Sequence, residues 1–334
     1  MNIKSFSKTG LAVGIVAFSG WAAAATGCGD VTIANMNWQS AEVMANVDKL
    51  ILNAGYGCNA DLVTGDTVPT ITSMVEKGRP DIAPEGWIDL VPEVARTGIQ
   101  SGNLIQAASS LTDGGSQGWW IPKYIADAHP DIKTFEDVKK HPELFPAPDD
   151  AKKGAIYNGP QGWGGTVVTA QFYKAYGFEK AGFVLVDTGS AAALDGSIAK
   201  AYERKAPWLG FYWAPTALLG KYPMVKLEPG PKVDPAEWKR CNTVADCPDP
   251  KPNGWPIDRV FTLTTKSFAA RSPAVMTYLN KRAWSNETVN KLIAWMTDNQ
   301  ATGEEGAKYF LKNNEALWSQ WVTPEASGKI KAAL

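Results

Sequence analysis

The stretch Ala83-Pro84-Glu85-Gly86-Trp87-Ile88-Asp89-Leu90 decides the reading of this chain. It sets a tryptophan two residues after a carboxylate, just past the turn-like Lys77-Gly78-Arg79-Pro80. Upstream, apolar residues recur at helical spacing over 41–52 (Val43, Met44, Val47, Leu50, Ile51), with Ser40 as a cap and Gly55 and Gly57 as the stop. Strands are expected over 31–34, 58–64 and 81–83, and a second helix over 67–77, halted by Gly78. This β-α-β-α-β alternation predicts a parallel sheet with right-handed crossovers. Ligands of such sheets bind outside the carboxyl ends of the strands, where Trp38 and Trp87 fall. Glu85 and Trp87 are expected in the loop that leaves the third strand.

Similar tryptophan loops follow at Gly118-Trp119-Trp120, Gly162-Trp163-Gly164 and Tyr212-Trp213-Ala214-Pro215, and one precedes at Asn37-Trp38-Gln39. For any single tryptophan, core packing is the simpler reading. These, however, are flanked by Gly, Pro, Asn and Gln at the ends of apolar runs. As a set they predict indoles reaching into a cleft, where their negatively charged faces would hold a cation. Trp284, Trp295, Trp318 and Trp321 lie among apolar residues at helical spacing and are assigned to the core. The second half repeats the layout of the first: strand, aromatic loop, helix. Thr134 carries capping-box character and Ser190 a helix cap. Glu85 has two readings, an exposed loop acid or a group beside the ligand. Glu85 and Trp87 share a face only if the chain is extended across Gly86.

The chain has 334 residues, long enough for two domains, and a net charge of −1 that gives no reason to expect nucleic acid or an anionic membrane as partner. Residues 1–25 read as a signal peptide: Lys4 and Lys8, an apolar run over 10–25, and the small Ala23-Ala24-Ala25 before a cut near Ala25. An exported, periplasmic, monomeric protein is expected. Its four cysteines form an even set, which in an oxidising compartment predicts pairing. Cys241 and Cys247 close a short loop, which leaves Cys28 with Cys58. A rival reading places a lipid on Cys28, because Ala25-Thr26-Gly27-Cys28 loosely matches a lipoprotein box; intact mass separates the two.

No nucleophile–His–acid set is visible, and His129 and His141 are the only histidines, so no enzyme, cofactor or metal centre is expected. The glycine-rich run 159–166 lacks the ending of a phosphate-binding loop and reads as a turn that lets Trp163 approach a ligand. Asp246, Asp249 and Asp258 near the cysteine loop do not have the spacing of an EF-hand.

The mature chain resembles the periplasmic glycine betaine/choline-type substrate-binding proteins of ABC importers. The resemblance rests on Asn37-Trp38, Gly86-Trp87-Ile88-Asp89-Leu90, Gln117-Gly118-Trp119, the loop at Trp163, and Phe211-Tyr212-Trp213-Ala214-Pro215. It implies a two-lobe α/β periplasmic binding protein fold, type II-like, with two hinge crossovers near Trp119 and near 255–260. Lobe one would be 26–118 plus 260–334, and lobe two 119–259. It also implies an aromatic box of Trp38, Trp87, Trp119, Trp163 and Trp213 for a methylated ammonium group, and a permease in the inner membrane as partner. Glu85 departs from what a betaine binder is expected to carry, since an acid repels a carboxylate; it resembles variants that take trimethylamine N-oxide. Choline remains a further candidate ligand. A tryptophan-lined sugar binder is the competing class.

Overall fold

The computed structural model describes Met1 and residues 28–334; the signal peptide and its cut near Ala25 lie outside the described residues. Strands are numbered in chain order. β1 (Asp30–Met36), β2 (Asn59–Gly65), β3 (Ile82–Trp87), β4 (Leu104–Ser109) and β11 (Val260–Thr265) form one sheet in the order β2-β1-β3-β11-β4. β1 runs parallel to β2 and β3, as the β-α-β-α-β alternation implies, while β11 enters antiparallel between β3 and β4. The second sheet has the order β10-β5-β8-β6-β7, from β5 (Gly115–Pro122), β6 (Gly154–Asn158), β7 (Phe183–Asp187), β8 (Gly210–Ala214) and β10 (Ile257–Asp258), with β9 (Met224–Lys226) also paired to β5. Each sheet is the centre of an α/β lobe. The chain crosses between them twice, at residues 110–114 and at Arg259. The first crossing thus lies ahead of Trp119, because all of β5 already belongs to the second sheet.

Helix Gln39–Tyr56 starts earlier than its apolar spacing suggests, and Ser40 does not cap it. Trp38 occupies the extended N-cap position, and the Ser40 hydroxyl is turned to Glu85. The helix ends where expected: Gly57 adopts φ 65°, a left-handed conformation that costs glycine little, and its N–H returns to the Leu52 carbonyl. Val43, Met44, Val47, Ile51 and Leu52 are buried, and helices Gly303–Asn313 and Pro324–Ala333 pack along the same helix. The C-terminus is thereby part of the first lobe. Trp284, Trp318 and Trp321 are buried, and Trp295 stacks on Tyr309 with ring centroids 3.8 Å apart.

β3 extends further than its sequence suggests, through Pro84 and Gly86 to Trp87, and every residue in it is buried. Gly86 is needed there, since a Cβ would stand 2.4 Å from Leu263 Cδ1 on the neighbouring β11. A buried ion pair fixes the strand from beneath. Arg282 Nε lies 3.0 Å from Asp48 Oδ1, and Arg282 Nη2 donates to the Pro84 carbonyl at 2.7 Å and to Thr262 Oγ1 at 2.9 Å. Outside the sheets, Cys28 is bonded to Cys58 and Cys241 to Cys247. Thr134 completes a capping box with Asp137, and Ser190 accepts the Ala193 N–H.

Candidate functional site

Four tryptophans meet between the lobes. Trp38 follows β1 and Trp87 ends β3, both in the first lobe. Trp163 is the N-cap residue of helix Gly164–Ala175, after β6, and Trp213 lies in β8, both in the second. With Phe211, Leu90, Gly165, Thr67 and Gln117 they line one space. The indoles are 4–7% exposed. Trp163 stands edge-on to two others, with centroids 5.8 Å from Trp38 and 4.9 Å from Trp213 and interplanar angles of 85° and 88°. Phe211 adds a further ring, 6.4 Å from Trp163.

Three of the four indole N–H groups are occupied by residues that do not line this space. Trp38 Nε1 and Trp87 Nε1 donate to the same atom, Glu85 Oε1, at 2.8 and 3.0 Å; the Ser40 hydroxyl joins them at 3.1 Å. Trp163 Nε1 donates to Asn37 Oδ1 at 2.6 Å, across the cleft. The N–H edges of Trp38, Trp87 and Trp163 are thus committed away from the space. A backbone bond also crosses the cleft, from Val68 N–H to the Gly162 carbonyl at 3.0 Å. These contacts describe a closed form.

Glu85 is neither an exposed loop acid nor part of the lining. Extended β3 turns it to the same face as Trp87, where it is fully buried. Burial pushes its carboxyl above the usual range, opposed by the bonds from Trp38, Trp87 and Ser40 and by the charge of Arg282. It holds two walls of the space in place from behind.

Trp119 is not at the space. It is fully buried, stacked on Phe135 at 4.2 Å, and its Nε1 donates to Thr169 Oγ1 at 3.3 Å. The reason is strand direction. β5 runs antiparallel to β8, so its N-terminal end faces the cleft. Gln117 sits there, and Trp119, two residues or roughly 7 Å further along, falls in the second lobe's core. Trp120 points to the other face and donates to the Tyr212 carbonyl. Sequence reasoning named neither Gln117 nor Phe211 as a site residue, although both lie inside motifs it singled out. Phe211 shares a strand face with Trp213, which was the available signal.

Gln117 Nε2 donates to Asp258 Oδ2 at 2.8 Å. Asp258 is buried at the second crossing, and burial, with the charge of Asp89, pushes its carboxyl up to about 8, while the Gln117 bond and Lys226 act against this. The acids of the cysteine loop do not converge on a cation site: Cys241, Cys247 and Asp249 cluster, but the sulfurs are bonded to each other and Asp249 is held by Arg240 at 3.0 Å. Beyond Trp38 and Trp213, a larger open pocket continues between the lobes, past Asp195 and Lys221.

Two α/β lobes joined by two crossings, closed over an aromatic cleft, define a substrate-binding protein of the two-lobe type. The sequence matches OpuAC, the substrate binding domain of ABC-type glycine betaine transport system, over residues 29–313, and the chain belongs to that family. Its members bind substrates rather than transform them. A trimethylamine N-oxide-binding protein of Pelagibacter ubique (strain HTCC1062) is 24% identical over 323 residues, 93% of this chain and 96% of its own. Two solved structures share the fold at 18% identity. One is a glycine betaine/L-proline-binding protein of Borrelia burgdorferi (90% of this chain and 99% of its own, TM-score 0.71). The other is a choline-binding protein in complex with choline (92% and 98%, TM-score 0.72).

Proposed function

We propose that this chain captures a small methylated ammonium compound between its lobes, trimethylamine N-oxide in preference to glycine betaine or choline, and presents it to the permease of an ABC importer. The observation that carries this reading is the meeting of four indoles, two from each lobe, around a space lined by no charged side chain. A fully methylated ammonium donates no hydrogen bonds, so water holds it weakly. A desolvated indole face attracts it by about 2 kcal/mol. A pyranose would need side chains that read its hydroxyls, and the lining offers only Thr67 and Gln117.

The lining supports the choice of ligand: it offers no cationic side chain to pair with a ligand carboxylate. The Pelagibacter ubique relative is named for trimethylamine N-oxide, a ligand with no carboxylate. Rings from both lobes gain the cation only when the lobes close, so binding draws the population to the closed form. Two disulfides fit an oxidising compartment, and the periplasm is the placement proposed, with residues 1–25 removed and the protein working as a monomer.

Titration calorimetry with trimethylamine N-oxide, glycine betaine, choline and maltose tests this. Saturable heat with the methylated solutes, tightest for the N-oxide, and none with maltose is expected. Glu85→Ala should weaken the N-oxide by about tenfold, because both indole N–H groups and the Ser40 hydroxyl lose their shared acceptor. Binding of maltose alone, or of none of the four, overturns the reading.

A further inference from the structure

Residues 229–256 have little regular structure, yet they are rigidly mounted. Asn253 is 1% exposed and accepts from Asp234 N–H at 2.7 Å and Gly254 N–H at 2.8 Å; its own amide donates to the Asp234 carbonyl and to Asn242 Oδ1. The Cys241–Cys247 bond closes the tip. This excursion is fastened to helix Gly164–Ala175 and the residue after it. Gln171 Nε2 donates to the Val244 and Ala245 carbonyls, both at 2.7 Å, and the Tyr176 hydroxyl donates to the Asn253 carbonyl at 2.9 Å. The same helix begins at Trp163. The excursion and one wall of the cage are therefore parts of one body.

From that body Trp238 reaches the other lobe. Its ring is 4% exposed and packs against Phe172 and Trp255, with centroids 6.2 and 6.1 Å away. Its Nε1 donates to the Asp89 carbonyl at 2.7 Å. Beside it, Lys239 Nζ lies 2.7 Å from Glu93 Oε2, an exposed pair that contributes little. Asp89 is two residues past Trp87. Its carboxylate is gripped by Arg259, the residue of the second crossing, through the backbone N–H at 2.8 Å, Nε at 3.1 Å and Nη2 at 2.6 Å. A single residue thus joins the Trp87 turn, the hinge and the excursion.

The geometry points to residues 229–256 as a brace that sets the closed angle of the lobes, with Trp238 and Asp89 as its positioning residues. Neither side chain lines the ligand space. The brace therefore sets how long a ligand is retained and leaves the ranking of ligands to the cage. This rests on the reading that the cage fills by closure of the lobes.

The test is Trp238→Phe, which removes the N–H and keeps a ring against Phe172 and Trp255. Stopped-flow fluorescence with trimethylamine N-oxide and with glycine betaine should show Kd raised roughly fivefold for both, the scale of one buried hydrogen bond left without its partner. The change should sit in the dissociation rate, with Tm nearly unchanged. Asp89→Asn, which weakens the Arg259 grip but keeps the carbonyl, should move Kd the same way. Unchanged dissociation in both variants, or a changed ratio between the two solutes, overturns the brace. Spin labels at Lys180→Cys and Lys308→Cys, exposed positions on opposite lobes, report the angle without any ligand. A wild type that binds neither solute sinks the cage reading on its own. The label distances then decide the brace: a longer distance in Trp238→Phe supports it, and identical distributions overturn it.

Discussion

Trp163→Phe is the most informative single change. Trp163 is the ring that meets both Trp38 and Trp213 edge-on, and its N–H is the donor that crosses the cleft to Asn37. Phenylalanine keeps an aromatic face but loses two contributions. The neutral hydrogen bond is worth about 1 kcal/mol. The weaker π face removes on the order of 1 kcal/mol more, since indole is the best of the aromatic partners for a cation. Together, about 2 kcal/mol weakens binding roughly 30-fold. Asn37→Ala separates the two parts: it keeps the indole, removes the Asn37 acceptor and should cost at most roughly fivefold. Trp295→Phe is the control, because that ring stacks on Tyr309 away from the cleft and should change nothing. Calorimetry with trimethylamine N-oxide reads all three. Affinity within twofold of wild type for Trp163→Phe would refute the reasoning, since no cation could then be resting on that ring.

Other parts of the molecule give separate expectations. Trp119→Phe should lower stability by about 1 kcal/mol in urea titration, through the lost bond to Thr169, and leave Kd unchanged. Arg282→Met leaves Asp48 buried without its cationic partner, with only the Tyr278 hydroxyl still donating to it, and frees the Pro84 carbonyl; about 3–5 kcal/mol of stability should be lost, read by denaturant melts. Asp258 retains its proton to about pH 8 in the fold and ionises near 4 when unfolded. A carboxyl raised in this way contributes its full stability below pH 4 and loses it as pH climbs through 8, so thermal melts should fall over that window and Asp258→Asn should flatten the fall.

Much of the fold was legible because period and punctuation carry it. The spacing of Val43, Met44, Val47 and Ile51 and the stops at Gly57 and Gly78 marked the first crossover unit, and its three strands pair in parallel. What was not legible depended on partners distant in sequence. β11 enters the first sheet 173 residues beyond the end of β3, and Gly86 and Pro84 stay in strand because Leu263 and Arg282 pack against them. Trp38, Trp87, Trp163 and Trp213 stood out by their settings among Gly, Pro, Asn and Gln, and the fold brings these four together. Trp119 shares that setting, and only the direction of β5 separates it from the cleft. Glu85 was flagged by its place beside Trp87. Its use, as acceptor for two indoles, needed Trp38 from another strand's end.

The most direct measurement compares trimethylamine N-oxide with tert-butanol, which has the same three methyl groups and nearly the same shape but no positive centre. If indole faces hold a cation, calorimetry should give tert-butanol an affinity at least about 30-fold weaker, the loss of roughly 2 kcal/mol of cation–π attraction. Equal affinity for the two would contradict that claim and leave the four tryptophans as no more than an apolar pocket.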